Sequence, residues 1–127
     1  MNPALPSPGA AAQAFLARAH GHFIGGRWVA PLAGERFDVF DPGTGLKIST
    51  AAAGDAQDID AAVAAARAAF TGPWAKFTAA ERGKVLWKLA DHVERHAQEL
   101  IQLAILDNGL PQPVAQYVVH HVVPDYI

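Results

Sequence analysis

The spacing of apolar residues changes its period near residue 55, and this change constrains the fold more than any other feature of the sequence. Before it, Arg36 to Phe40 alternates polar and apolar side chains, the pattern of a half-buried strand. After it, Ile59, Val63 and Phe70 recur at the spacing of one helix face. The pattern predicts an α/β chain in which N-terminal antiparallel β hairpins precede long α-helices.

The front half contains two strong turn signals. Gly25-Gly26 divides the segment from His22 to Val29 into a hairpin, because glycine supplies the positive φ angles of a tight turn. Asp41 to Gly45 predicts a second turn, followed by a returning strand from Leu46 to Ala52. We expect one small antiparallel meander. Residues 1–21 are expected to form a loose leader with a short helix from Ala11 to Ala19.

The back half carries helix start and stop signals. Asp55 or Asp58 would cap a first helix ending at Phe70, before Thr71-Gly72-Pro73. Thr78 and Glu81 form a capping-box pattern that opens one long helix, ending at Asn108-Gly109. The expected buried face of that helix consists of Val85, Leu86, Leu89, Val93, Ala97, Leu100, Ile101 and Ala104. Asp91 and Arg95 have the spacing of a helical ion pair.

A third helix is expected from Val114, interrupted at Pro124. Its apolar pattern continues to Ile127, and we therefore expect the chain to be an incomplete part of a longer fold.

Composition excludes several classes of function. The 127 residues contain no cysteine, so disulfides, thiolate catalysis and cysteine-based zinc sites are excluded. The net charge of −2 gives no electrostatic basis for binding nucleic acid or an anionic membrane. The N-terminus lacks the charged and apolar regions of a secretory signal, and a cytoplasmic location is expected.

Three local patterns resemble functional motifs and are better explained by structure. His92 and His96 share a helix face, but no third metal ligand accompanies them. Gly83-Lys84 lacks the remaining residues of a phosphate loop. Gly43 and Gly45 lie in a predicted hairpin turn, so they do not form a dinucleotide fingerprint.

Several strings, in order, resemble the N-terminal segment of the NAD(P)-dependent aldehyde dehydrogenase superfamily. They cover about residues 22 to 111. The strings are Phe23-Ile24-Gly25-Gly26-Arg27-Trp28-Val29, Phe37 to Gly45, Asp58 to Phe70, Pro73-Trp74, Glu81 to Leu86 and Leu106-Asp107-Asn108-Gly109-Leu110-Pro111. The sequence departs from the family at Leu110, where Lys is common, and at Val39, where some members have Thr.

The resemblance implies that residues 22–127 are an incomplete N-terminal part of the cofactor-binding domain. The family oxidises aldehydes to carboxylic acids with NAD or NADP through a cysteine nucleophile. Its catalytic Cys, Glu and Asn lie downstream, so no catalytic or cofactor-binding residue is assigned here.

The expected partner is the rest of an aldehyde dehydrogenase chain, in an enzyme that is a homo-oligomer. The isolated chain is expected to be inactive and to bind no cofactor. The alternative is a non-catalytic helical interaction module.

One site is implied by the same resemblance: a monovalent cation site, for sodium or potassium, at Val39, Phe40 and Asp107. A helix C-terminus carries partial negative charge, so a carboxylate there favours a cation beside it. Val39 can offer only its carbonyl, whereas Thr could add a hydroxyl. The alternative is that Asp107 caps the turn before Asn108-Gly109 by accepting hydrogen bonds from backbone amides.

Overall fold

The computed structural model describes residues 8–127. After one short helix, the strands precede the longer helices, in agreement with the α/β prediction. Five short strands are β1 Ala19–His20, β2 His22–Ile24, β3 Arg27–Val29, β4 Arg36–Phe40 and β5 Lys47–Ala52. The helices are α1 Ala10–Leu16, α2 Ala56–Phe70, α3 Pro73–Lys76, α4 Ala79–Arg95, α5 Ala97–Asn108, α6 Gln112–Tyr117 and α7 Val123–Asp125, with a π-helical turn at Val118–Val122 between the last two.

The strands form two sheets instead of the single antiparallel meander that the sequence predicted. The hairpin β2–β3 pairs His22 with Val29 and stands alone, with Gly25 and Gly26 at φ 60° and 79° in its turn. In the second sheet β5 lies between antiparallel β4 and parallel β1. The meander was wrong because a two-residue parallel strand pairs through its backbone and leaves no periodic signal in its side chains.

The leader is packed against the rest of the chain from residue 8 onward. A short helix is present, as expected, but Ala12 is fully buried and the α1 segment lies against α5. The expectation of a loose leader is therefore wrong for residues 8–20. Residues 1–7 of that leader lie outside the described residues, and the boundary after residue 21 stays a prediction.

Both predicted helix starts have the expected caps. Asp55, and not Asp58, is the N-cap of α2: its Oδ1 accepts from the amides of Gln57 and Asp58 at 2.8 and 3.0 Å. Asp58 completes the capping box by accepting from the Asp55 amide at 3.2 Å. Thr78 and Glu81 form the second capping box, at the start of α4. Each such cap contributes about 1 kcal/mol to the stability of its helix.

The predicted long helix is two helices, α4 and α5, separated at His96. His96 leaves the helical region with φ −104° and ψ 13°. The predicted Asp91–Arg95 ion pair is also wrong, because the Arg95 Nε donates to the Asp91 main-chain carbonyl at 3.0 Å in this last turn of α4.

The buried core of the described chain is small and lies at the C-terminal helices. Ala97, Ile101, Ala115 and Val119 pack together, with half-buried apolar side chains of α4, α5 and the following loop around them. The α4 part of the predicted buried face is open instead, since Val85, Leu86 and Leu89 are between 38% and 48% exposed. Within the described part of the chain, no helix is long and apolar enough to span a bilayer.

Pro124 does not interrupt the last helix in the way the sequence predicted. The third helix begins at Gln112, before the predicted Val114, and a π turn over Val118–Val122 leads directly into α7, which contains Pro124. A proline removes one helical hydrogen bond and crowds the carbonyl one turn earlier. A wider π turn at that point is one of the known ways to accommodate this disturbance.

Gly21 links β1 to β2, and a substitution there tests the close approach of this link to β3. A Cβ at this position would overlap the carbonyl oxygen of Val29 in the partner strand. Gly21→Ala should therefore lower the free energy of unfolding by about 1–3 kcal/mol, the usual cost of overpacking. Gly83→Ala is the matched control, since its Cβ would meet no atom within 4 Å. It should raise stability by about 0.5–1 kcal/mol, as expected for alanine in a helix. Urea denaturation of both variants measures the difference, and equal stability would contradict the close approach at Gly21.

Candidate functional site

Two of the three residues predicted for a cation site line one cavity. The cavity has a volume of about 410 Å³ and lies between the three-stranded sheet and α5. Val39 reaches it from β4 and Asp107 from the last turn of α5. Phe40 follows Val39 in the strand, but its side chain is 52% exposed and does not line the cavity. Only its backbone could contribute to a site.

A β-bulge interrupts the sheet where the site residues lie. Val39 pairs with Ser49 and Phe40 pairs with Lys47, so Ile48 is the additional residue of β5. A bulge locally disrupts the hydrogen-bond ladder and turns the backbone away from its regular direction. The main-chain oxygens near Val39 and Phe40 therefore lie in the irregular part of the sheet, where a ligand can compete with ladder pairing.

The turn after β4 is held by a buried carboxylate. Asp41 is 4% exposed, and its Oδ1 accepts from the Gly43 amide at 2.8 Å while its Oδ2 accepts from the Thr44 hydroxyl at 2.7 Å. The Thr44 hydroxyl, followed by the Gly43 amide, lowers the pKa of Asp41 below its ordinary value of 3.8, because both bonds favour the charged form. The carboxylate of the first turn residue thus holds the conformation of the turn.

This turn lies against the end of α5. Gly109 adopts a left-handed conformation with φ 67°, and a Cβ there would approach Pro42 Cγ to 3.0 Å. The close contact places the β4–β5 turn beside the C-terminal carbonyls of α5. A helix end of this kind carries partial negative charge.

Asp107 itself is exposed and stands in that last helical turn. Within residues 8–127 its carboxylate accepts no hydrogen bond from a backbone amide, so the capping alternative has no support here. The helix is closed by the main chain, since the Gly109 amide donates to the Ile105 carbonyl at 2.9 Å.

The available donors fit a hard monovalent cation better than a transition metal. Nowhere in the described residues do three His, Cys, Asp or Glu side chains come together. The residues that line the cavity supply the carboxylate of Asp107 and the hydroxyls of Ser49 and Thr50, beside the main chain near the bulge. Oxygen ligands of these kinds are typical of alkali and alkaline-earth cations. Such a set of ligands can bind a cation and thereby stabilise the elements around it. It contains no thiol nucleophile, since the sequence has no cysteine.

The histidines of the helical half do not take part in any cluster of three or more metal-ligating side chains in the described chain. His96 lies at the helix break, with its Nδ1 3.4 Å from Glu99 Oε2. The rings of His120 and His121 are 6.4 Å apart and tilted, on the π turn.

A different polar cluster, centred on Asp58, was missed. Its buried carboxylate accepts from the Leu32 amide at 3.2 Å and lies 3.5 Å from His22 Nε2. The capping pattern identified the residue, but partners 26 and 36 positions away leave no local signal.

Comparisons with known proteins agree on one family. A family model described as the aldehyde dehydrogenase family matches residues 28–124. The chain is 49% identical over 89 residues to aldehyde dehydrogenase family 2 member B4, mitochondrial, of Arabidopsis thaliana, covering 69% of this chain and 16% of that protein. It is 38% identical over 117 residues to the mitochondrial aldehyde dehydrogenase of Equus caballus, covering 91% and 23%.

Solved structures give the same result. A variant of the aldehyde dehydrogenase from Bacillus cereus superposes with a TM-score of 0.82 at 43% identity, covering 86% of this chain and 22% of that one. An NAD+ complex of the Bacillus cereus enzyme gives a TM-score of 0.78 at 45% identity, covering 82% and 21%. The chain thus spans about a fifth of the length of these relatives.

The Asp41 turn makes a pH-dependent prediction. Because the folded pKa of Asp41 is lowered, its stabilising effect is complete above the unfolded value near 3.8 and is lost as pH falls through the folded pKa. Thr44→Val removes the hydroxyl donor and should raise the pKa of Asp41 toward its ordinary value. Thr44→Ser keeps the donor and should leave the pKa low. Carboxyl NMR titration measures both, and an unchanged pKa in Thr44→Val would show that this bond does not form.

Proposed function

The chain belongs to the aldehyde dehydrogenase family, and we propose that it forms the N-terminal scaffold of an NAD(P)-dependent aldehyde dehydrogenase. The proposal extends the match over residues 28–124 to the chemistry of the complete enzyme. In that enzyme the nicotinamide cofactor accepts hydride from the substrate. The contribution of this chain is structural in this proposal, because it lacks a cysteine thiol to attack the aldehyde.

The observation that carries the scaffold role is the exposure of two patterned helix faces. On α2, Ile59, Val63 and Phe70 are 59%, 45% and 83% exposed although they form one apolar stripe. Large contiguous apolar patches on a folded chain usually mark interaction surfaces. The α4 face, with Val85, Leu86 and Leu89, has the same character. We assign both faces as interior surfaces covered by the rest of an aldehyde dehydrogenase chain.

In this proposal, the catalytic residues lie in the part of the enzyme outside these 127 residues. A thiolate nucleophile activates aldehydes by forming a covalent intermediate, and this sequence contains no cysteine. The chain by itself is therefore proposed to be inactive and to bind no cofactor. The complete enzyme would use NAD, as does the Bacillus cereus relative solved with NAD+, or NADP, and would be a homo-oligomer.

A chimera tests the scaffold role. Residues 22–111 of this chain would replace the matching segment of the Bacillus cereus aldehyde dehydrogenase, to which the chain is 43% identical. If the segment is an interchangeable scaffold, the chimera should form NADH from acetaldehyde or benzaldehyde with kcat within about tenfold of the parent enzyme. The 127-residue chain should form none above a protein-free blank.

Two results would contradict the scaffold proposal. One is NADH formation by the 127-residue chain alone. The other is a chimera that folds, as judged by its circular dichroism and melting temperature, but lacks activity. A chimera in which Ile59, Val63 and Phe70 are replaced by Ser serves as the matched control. It should lose stability, because these side chains would then be buried.

We further propose that the main-chain oxygens at Val39 and Phe40 and the carboxylate of Asp107 hold a sodium or potassium ion in the complete enzyme. Support comes from the shared cavity of Val39 and Asp107, the bulge beside them and the negative end of α5. The ion would supply positive charge that joins the strand to the helix end. It would take no part in the oxidation itself.

The cation proposal is tested in the same chimera. Its melting temperature should be higher in potassium or sodium chloride than in N-methylglucamine chloride at equal ionic strength, because an ion bound only by the folded state stabilises it. Asp107→Asn should remove this difference. Asp60→Asn, an exposed carboxylate on α2, is the control and should retain it. A melting temperature that ignores the cation in all three proteins would refute the site.

A further inference from the structure

The segment before the hairpin is secured to the rest of the chain at separate points. At its start, the Gly9 amide donates to Gln102 Oε1 of α5 at 2.8 Å. In the middle, the Ser49 hydroxyl of β5 donates to the Leu16 carbonyl at 2.8 Å. At its end, Ala19 and His20 pair in parallel with Thr50 and Ala51. The segment thus bridges β5 and α5, two elements far apart in sequence.

The helical part of this segment has little stability of its own. Helix α1 has only 7 residues, no side-chain N-cap, no acidic residue in its first turn and no basic residue in its last. Isolated helices shorter than about 12–15 residues are marginal in water. The helix therefore depends on docking, in which Ala12 is fully buried and Phe15 and Leu16 are half-buried.

The docked segment also forms one wall of the cavity described above. Phe15, Leu16 and His20 line it from the segment side, and Leu103 and Ala104 line it from α5. The Phe15 and His20 rings lie 4.4 Å apart, and His20 Nε2 is 2.9 Å from the Phe15 carbonyl. These contacts connect the helical part of the segment with its strand, so the segment should move as one unit.

From this geometry we propose that residues 9–20 act as a strap, which closes the cavity between β5 and α5 and opens by undocking as a unit. The Gln102–Gly9 hydrogen bond is the clip at its N-terminal end. The strap lies entirely before residue 28, where the family match begins. Opening would expose the apolar wall of α5 without disturbing the small core of Ala97, Ile101, Ala115 and Val119.

The absence of cysteine from the sequence makes a direct test available. Ala104→Cys places a single thiol in the cavity wall of the full 127-residue chain, and its reaction with a disulfide reagent reports opening. Adding Gln102→Ala, which removes the clip, should accelerate labelling about fivefold, the factor expected for one hydrogen bond. Gln98→Ala, an exposed position on the same helix, should leave the rate unchanged.

Two controls make the test decisive. A thiol at Ala115, which is fully buried in the core, should label at the same slow rate with and without Gln102→Ala. Hydrogen exchange on the cysteine-free chain should show faster exchange in Gln102→Ala at residues 10–16 but not at 57–70. Equal labelling rates at position 104 with and without the clip, or acceleration at position 115 as well, would overturn the strap.

Discussion

The contact among Ala97, Ile101, Ala115 and Val119 is the packing on which the helical half of the chain depends. It is small, and no large side chain of the described residues is fully buried. The chain exposes 9277 Å², whereas a compact monomer of 13.4 kDa exposes about 6,500 Å². The difference is large for a chain of this size. It agrees with the exposure of the apolar faces of α2 and α4, where Val63, Val85 and Leu89 are between 43% and 48% exposed.

The front half is held by backbone bonds to buried carboxylates more than by apolar packing. Asp41 fixes the β4–β5 turn, and Asp58 connects the start of α2 to Leu32 and lies close to His22. Hydrogen bonds to a charged group are stronger than hydrogen bonds between neutral groups. These two residues therefore give the strands a defined position although the sheets are only two and three strands wide. The same turn lies beside α5 and creates the candidate site.

Sequence motifs a few residues long predicted the turns and helix ends that depend on neighbouring residues. Gly25-Gly26, the Asp55 cap, the Thr78–Glu81 box and the stop at Gly109 each depend on neighbours within a few residues, and each is present. Features that depend on distant partners were not predictable in this way. The parallel strand at Ala19 and the docking of α1 on Gln102 both follow from tertiary contacts. At the candidate site, the resemblance supplied Val39 and Asp107, but the bulge that makes the strand irregular is visible only in the pairing of β4 with β5.

The exposed faces of α2 and α4 can be tested directly by the association state of the 127-residue chain. If these faces are interior surfaces of a longer fold, sedimentation velocity should show self-association that increases with protein concentration. Replacing Ile59, Val63 and Phe70 by Ser should reduce it, because these side chains are already exposed and their loss costs the chain little packing. A monomer at all concentrations, with a sharp cooperative melt, would contradict this and would show that the 127 residues form a complete domain.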